Sequence, residues 1–287
     1  AKIEQAREEL AGFFSFKRDQ IIFTSGATEA NNAIFAHFSK GLGLKGSCLV
    51  SPFEHPSVID SAKYWFDQKI IYMPTDGKGL VNLNETSSIL EKEKISLVSL
   101  MAANNETGVL QPWQELAEVC SRNGVYFHCD ATQWVGKLDT SGLSNCGSFS
   151  ASAHKFCGPK GVGWLATKAP VKMQLGGAQE FGLRGGTENY PAIASMMVAF
   201  NDAQDRISEV NSRALWRDEF DKGIVAGIPN SQILGSDKKR LWNTSMVLLP
   251  DYENLRWVGK LDKLGFEVST GSACSVGKEQ GSGIANH

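Results

Sequence analysis

The sequence lacks several features that would each have named a class of protein. Its six cysteines, at Cys48, Cys120, Cys129, Cys146, Cys157 and Cys274, include no C-x-x-C pair, so neither a disulfide framework nor a zinc knuckle is indicated. No apolar run approaches the ~20 residues of a membrane-spanning helix. Neither sign of charge dominates: 29 Lys and Arg against 31 Asp and Glu leave a net charge of −2, which gives no electrostatic reason to expect nucleic acid or an anionic membrane as a partner. A G-x-G-x-x-G after the first strand-like segment is also missing, and Ser25-Gly26-Ala27-Thr28 is a poor substitute, so a nucleotide-binding Rossmann domain is the weakest reading. The segment from Ala1 to Leu10 is amphipathic and has no apolar signal-peptide core, which makes a cytoplasmic location the default expectation.

What is present is an ordinary globular composition, 42% hydrophobic and 21% charged over 287 residues, long enough for one large α/β domain or two smaller ones. Strand-like and helix-like segments alternate, the pattern of a mostly parallel sheet wrapped by helices. Gln20–Thr24, Gly46–Val50, Lys69–Met73, Ile95–Met101 and Val125–Asp130 read as strands, the last two as central ones because they are nearly continuous apolar runs. Helices are predicted from about Ala27, from Pro56, over Trp113–Arg122, and through Arg217–Phe220. The texture turns glycine-rich after about Gly176, and Asn243–Leu249 is expected to open a smaller second domain.

The stretch Ser152-Ala153-His154-Lys155-Phe156-Cys157-Gly158-Pro159 carries the most chemical information. Lys155 follows the small-residue string Gly147–Ala151 and precedes a Gly-Pro break, which predicts a crowded loop with close backbone approach. Desolvation in such places lowers a lysine's pKa and frees its amine to attack carbonyls. A second constellation is Ser25-Gly26-Ala27-Thr28, where a strand runs into a helix. It is either a capped βα turn or an anion site built from backbone N–H groups, a hydroxyl and the helix dipole, to which Ser152 and His154 could add donors. The third is Asp130-Ala131-Thr132-Gln133 at the end of an apolar strand, where open α/β sheets bind ligands. There an acid can pair with a protonated ring nitrogen, or simply cap a helix. His55 can stack on a planar ligand, or only precede a helix start. Taken together, these residues describe a site for pyridoxal 5'-phosphate: a lysine for the Schiff base, an acid for the ring nitrogen, a phosphate cup and a flat residue over the ring.

Six motifs in order, Thr24-Ser25-Gly26-Ala27-Thr28-Glu29, Asn104-Asn105-Glu106-Thr107-Gly108, Asp130-Ala131-Thr132-Gln133, Ser152-Ala153-His154-Lys155, Arg184-Gly185-Gly186-Thr187-Glu188-Asn189 and Ser272-Ala273-Cys274-Ser275, resemble those of cysteine desulfurases of the NifS/IscS type, in the class V aminotransferase family. The resemblance covers nearly the whole chain. It implies the type I fold of pyridoxal-phosphate-dependent transferases, with residues 1–200 as the large cofactor-binding domain and 201–287 as part of a small C-terminal α/β domain carrying the cysteine loop. By position, Lys155 would hold the cofactor, Asp130 would keep its ring nitrogen protonated, Gln133 would bond its phenolic oxygen, and His55 would stack on the ring and help move protons. Asn105 would lie near the phenolic oxygen and the substrate, and Ala27, Thr28, Ser152 and His154 would bind the phosphate. Thr187 would reach the phosphate of the neighbouring subunit in a homodimer. Cys274 would attack the sulfur of L-cysteine, take it as a persulfide and release alanine. Its glycine-punctuated surroundings, Ser269 to Gly277, suit a swinging loop, whereas Cys157 is expected to pack as a buried thiol.

The resemblance also implies a sulfur-acceptor protein as partner, such as an iron–sulfur scaffold, with cluster assembly and thiolation both open. Members of that family carry several dozen residues before the first motif and an arginine beyond the cysteine loop that grips the substrate carboxylate. No arginine follows Cys274 here, and the chain is expected to be a fragment or incomplete. Other readings are a selenocysteine lyase or cysteine C–S lyase using the same lysine, and an inactive scaffold that binds a sulfur-acceptor protein.

Overall fold

A computed structural model describes residues 1–40, 46–249 and 254–270 of the chain. The chain divides into two compact units, the larger made of Ala1–Pro74, Val81–Ala102 and Gln111–Ser208, the smaller of Thr75–Leu80, Ala103–Leu110 and Glu209–His287.

The larger unit is built on a seven-stranded sheet: β1 Ile21–Thr24, β2 Ser47–Val50, β3 Ile70–Tyr72, β4 Ile95–Ser99, β5 Tyr126–Asp130, β6 Ser148–Ser152 and β7 Gly163–Thr167, in the order β1-β7-β6-β5-β4-β2-β3. β7 pairs antiparallel with both of its neighbours, and the remaining pairs are parallel. Six strands therefore run one way and β7 alone runs back, as expected for a mostly parallel sheet flanked by helices. The six co-directional strands end along one edge, which collects Thr24, Val50, Ser99, Asp130 and Ser152.

Alternate side chains of each strand enter opposite cores, so both faces of the sheet are covered. Ile21 and Phe23 join Leu49, Val98, Phe149 and Trp164 on one face, while Ile22 joins Cys48, Val50, Leu97 and Leu165 on the other. Helices α2 Ala27–Lys40 and α3 Pro56–Phe66 cover the second face through Ile34, Phe35, Val58 and Phe66. Helices α1 Lys2–Phe14, α4 Leu83–Lys92 and α5 Trp113–Arg122 contribute Leu10, Leu90 and Leu116 to the first. A single turn, α6 Gln179–Gly182, precedes α7 Tyr190–Asp205, whose Met196 and Phe200 complete that core. Each fully buried Leu, Ile or Phe stabilises by roughly 1.5–3 kcal/mol.

The small-residue string before Lys155 is not read as a strand from the sequence, yet most of it is β6, buried along its whole length between β5 and β7. Small side chains hide the strand in the sequence because burial here comes from close neighbours rather than from large apolar groups. The crowding itself is present, and it falls at Gly163 of β7. That residue lies opposite both Thr24 and Ser152, and a Cβ there would stand 2.2 Å from the Ala151 carbonyl oxygen and 2.9 Å from the Gly26 Cα.

In the smaller unit, α8 Val210–Gly227 is followed by the two-residue strands β8 Gln232–Ile233 and β9 Val247–Leu248, paired antiparallel, and by α9 Asn254–Lys263. The segment Asn243–Leu249, expected to open a second domain, lies within the smaller unit and carries β9. Arg240 pairs with Asp221 at 2.5 Å, and Arg217 donates to the carbonyls of Arg240 and Leu241. Among the described residues, no helix is long and apolar enough to cross a membrane.

Candidate active site

The turn from β1 into α2 is fixed from three sides. Gly26 has φ +149°, a conformation that disfavours any side chain. The Thr24 hydroxyl donates to the Gly26 carbonyl at 3.0 Å. Glu29, in the first turn of α2, accepts the Ser25 N–H at 2.6 Å through Oε2 and the Arg184 guanidinium at 2.5 Å through Oε1. Burial pushes the Glu29 carboxyl up, but the bonds from Arg184 and Ser25 outweigh it and hold the pKa below the ordinary value. The Ala27 N–H donates to Ser152 Oγ at 2.8 Å, which joins the end of β6 to the helix start. Thr28 is exposed beside them, where first-turn N–H groups have no acceptor within the helix. Ala27, Thr28 and Ser152 are therefore gathered at one anion-friendly corner.

Asp130 ends β5, 5% exposed. Its Oδ1 accepts the Thr132 N–H at 3.0 Å and its Oδ2 accepts Asn31 Nδ2 at 2.9 Å. Asn31, fully buried on the inner face of α2, also reaches Ser57 Oγ at 2.9 Å, and its Oδ1 faces His128 Nε2 at 3.0 Å. Half-buried His55 is the N-cap of α3, with Nδ1 accepting the Ser57 N–H at 3.1 Å. Of the two sequence readings of His55, the structure shows the helix start, at the edge where the co-directional strands end. Beneath it, Glu54 is pushed well above the ordinary carboxyl range by burial and then by Asp130.

Lys155 lies on the 3-10 turn Ala153–Phe156 directly after β6 and is half-buried. Close by is a second lysine that sequence reasoning missed. Lys137 is 6% exposed and donates to Gln133 Oε1 at 2.6 Å. Burial, then repulsion from Lys155, lowers its pKa to about 7, against a smaller opposing pull from Cys157. Gln133 and Lys137 stand four residues apart on the helical turns after β5, the spacing that brings side chains together. His154 is exposed on the same turn as Lys155, its pKa lowered by burial first and then by Lys155, Lys160 and Lys137. Cys157, expected to pack, is exposed. It closes the 3-10 turn at φ 68°, a left-handed cap that turns the chain out of the core. Cys48, Cys120, Cys129 and Cys146 are buried free thiols.

Thr187 is exposed on the loop between α6 and α7. The loop leaves α6, which is anchored by a buried ion pair: Arg7, 1% exposed, meets both oxygens of Glu180 at 2.5 and 2.7 Å, and Glu180 also accepts the Phe23 N–H at 2.8 Å. Glu180 and Phe181 both adopt left-handed backbone angles, φ 49° and 59°, and the Phe181 ring lies 5.1 Å from the Arg7 guanidinium. Asn105 belongs to the smaller unit, half-buried in the turn closed by the Asn104 side chain. Cys274 lies outside the described residues.

Asn31, Ser57, His128 and Lys137 are the polar residues missed in the sequence. Asn31 interrupts the otherwise apolar buried face of α2, and that is the signal by which it could have been found. The donor set suits pyridoxal 5'-phosphate. A carboxylate sits at a strand end, an amine one turn beyond the next strand, and N–H donors at a helix start beside Gly26, where an added Cβ would stand 3.3 Å from Ser152 Oγ. Thr132 Oγ1, two residues past Asp130, is buried without a hydrogen-bond partner among the described residues.

The sequence model of the aminotransferase class-V family matches residues 1–283. A cysteine desulfurase IscS of Dictyoglomus turgidum is 37% identical over 282 residues, 95% of this chain and 71% of that protein. The solved structure of a NifS-like protein superposes with a TM-score of 0.86 at 32% identity, covering 93% of this chain and 76% of that one. That of SspA in complex with cysteine superposes with 0.78 at 29% identity, covering 95% and 78%.

Proposed function

Because the chain belongs to the aminotransferase class-V family, we propose that it is a pyridoxal 5'-phosphate-dependent cysteine desulfurase, which converts L-cysteine to L-alanine and passes the sulfur to its own Cys274. The observation that carries this reading is the placement along one sheet edge of Asp130, of Lys155 just past β6, and of the Ala27–Ser152 bond beside the start of α2.

The cofactor, when bound, supplies a sink for the electrons of the substrate's α-carbon. Lys155 Nζ would hold it and move the substrate's α-proton. Asp130, with both oxygens already oriented by Asn31 and Thr132, would accept the ring N–H. Gln133 would donate to the phenolic oxygen, while Ala27, Thr28, Ser152 and His154 would hold the phosphate. His55 would cover the ring face, and Asn105 would approach the substrate. The Cys274 thiolate attacks the substrate's sulfur: an S–S bond forms as the C–S bond breaks, and the electron pair stays with the carbon fragment that is protonated and leaves as alanine. Residues 1–200 supply most of the cofactor site, and 201–287 carry the cysteine loop. Thr187 completes the phosphate site of a second copy in a homodimer, and the persulfide is delivered in the cytoplasm to an acceptor protein for iron–sulfur cluster assembly or thiolation.

Mass spectrometry of the cofactor-loaded protein after incubation with L-cysteine tests this. One added sulfur on the peptide carrying Cys274, absent in Cys274→Ala, is expected. An unmodified Cys274 peptide with cysteine consumed would point to a lyase instead.

A further inference from the structure

We propose that Asn31 is a positioning residue that joins Asp130 to His55 through the Ser57 hydroxyl, and that His55 carries its proton on Nε2, as a hydrogen-bond donor rather than a base. The inference rests on the cofactor site proposed above for its consequence, and on hydrogen-bond bookkeeping alone for its geometry.

The assignment starts at Asp130, whose Oδ2 can only accept from a neighbouring amide. The Asn31 atom 2.9 Å from it is therefore the amide nitrogen, and the atom facing His128 is the amide oxygen. An oxygen there requires a proton on His128 Nε2. His128 is fully buried, and burial, against a smaller opposing pull from Asp130, pushes its pKa down to about 4, so the ring is neutral. Its Nδ1 then accepts from the Ser148 hydroxyl at 2.8 Å. With its orientation locked by His128 and Asp130, Asn31 gives its second N–H to Ser57 Oγ at 2.9 Å.

Ser57 transmits the constraint. Having accepted from Asn31, its hydroxyl has its own proton to give, and the acceptor within reach is His55 Nδ1 at 2.9 Å. The Ser57 backbone N–H, which can only donate, points at the same nitrogen from 3.1 Å. Two donors on Nδ1 leave the neutral ring with its proton on Nε2. The path from Asp130 ends at this hydroxyl, because an amide such as Asn31 holds protons without passing them on. His55 thus polarises what it touches, and proton transfer at the substrate carbon falls to Lys155. Asp130 and His55 sit on different strand ends, yet share one rigid linker.

The experiment is 15N NMR of histidine-labelled protein, recorded with and without pyridoxal 5'-phosphate, with His55→Gln identifying the resonances. Nδ1 unprotonated and Nε2 protonated are expected in the parent. Asn31→Ala leaves the backbone donor and hence the tautomer, but should shift the His55 resonances, move the midpoint of the cofactor's absorbance titration, and lower kcat about tenfold with little change in KM. If Asn31→Ala does not fold, Ser57→Ala serves. It keeps the backbone donor and hence the tautomer, but Asp130→Asn, which shifts the His55 resonances in the parent, should no longer shift them in the double variant. A proton on Nδ1 in the parent, or His55 resonances indifferent to the state of Asn31 and Asp130, would overturn the inference. Failure of the cofactor to bind, with the tautomer as stated, would instead count against the proposed function.

Discussion

Lys137 Nζ donates to Gln133 Oε1 at 2.6 Å from a position only 6% exposed, so the amide expected to touch the cofactor is held by a buried lysine. In the folded chain the Lys137 pKa is about 7, below its ordinary 10.5. Between those values the unfolded chain binds more protons, and stability rises with pH; below about 7 the full cost of burying the charge is present. Lys137→Met should accordingly stabilise the protein by on the order of a few kcal/mol near pH 6.5, a gain that shrinks toward pH ~10. Urea unfolding across that range measures it, and a gain independent of pH would contradict the assignment. The same variant should bind pyridoxal 5'-phosphate more weakly, because Gln133 is released.

Gly163 is the contact point of β1, β6 and β7. Gly163→Ala places a methyl against the Ala151 carbonyl and the Gly26 Cα, and neither backbone can yield without separating the helix start from Ser152. A loss of about 1–3 kcal/mol in stability is expected. A cofactor affinity at least about tenfold weaker should accompany it, since the N–H donors and Ser152 no longer converge. Equilibrium dialysis of the cofactor provides the second readout.

Arg7 and Glu180 are fully desolvated and bidentate. Arg7→Met strands the buried Glu180 carboxylate and should cost about 3–5 kcal/mol, while Glu180→Leu leaves Arg7 with Glu4 at 3.2 Å and should cost less. The double variant should recover a large part of that loss. Equal destabilisation by the single and double variants would show that the left-handed turn, rather than the ion pair, carries the energy.

Arg184 reaches across from the loop bearing Thr187 to Glu29 in the first turn of α2. Glu29→Gln keeps the shape but removes the charge that draws Arg184 in. The expected result is cofactor affinity reduced by about three- to tenfold with global stability changed by less than about 1 kcal/mol, since the pair is partly exposed. Fluorescence-detected cofactor titration and thermal melts separate the two effects.

The parts of this molecule that were legible in its sequence are those where physics acts locally. Asp130 was found because an apolar run ended on an acid, and the α2 start because small residues followed a strand. β6 escaped because Ser148–Ser152 carries no apolar signature of its own; its burial is imposed by β5, β7 and the helices. Asn31 looked like one more polar residue of a capped helix, and only the tertiary fold shows it between Asp130, Ser57 and His128. The exposure of Cys157 follows from a left-handed cap that no composition reveals. Asn105 and Asp130, expected at one site, fall in separate units of the chain, and long-range placement of that kind is settled by packing rather than by pattern.

The most direct test is the identity of the product formed from L-cysteine by the cofactor-loaded protein. Alanine, released one for each sulfur transferred and lost in Lys155→Ala, is the expected result. Pyruvate and ammonia in its place would contradict a desulfurase.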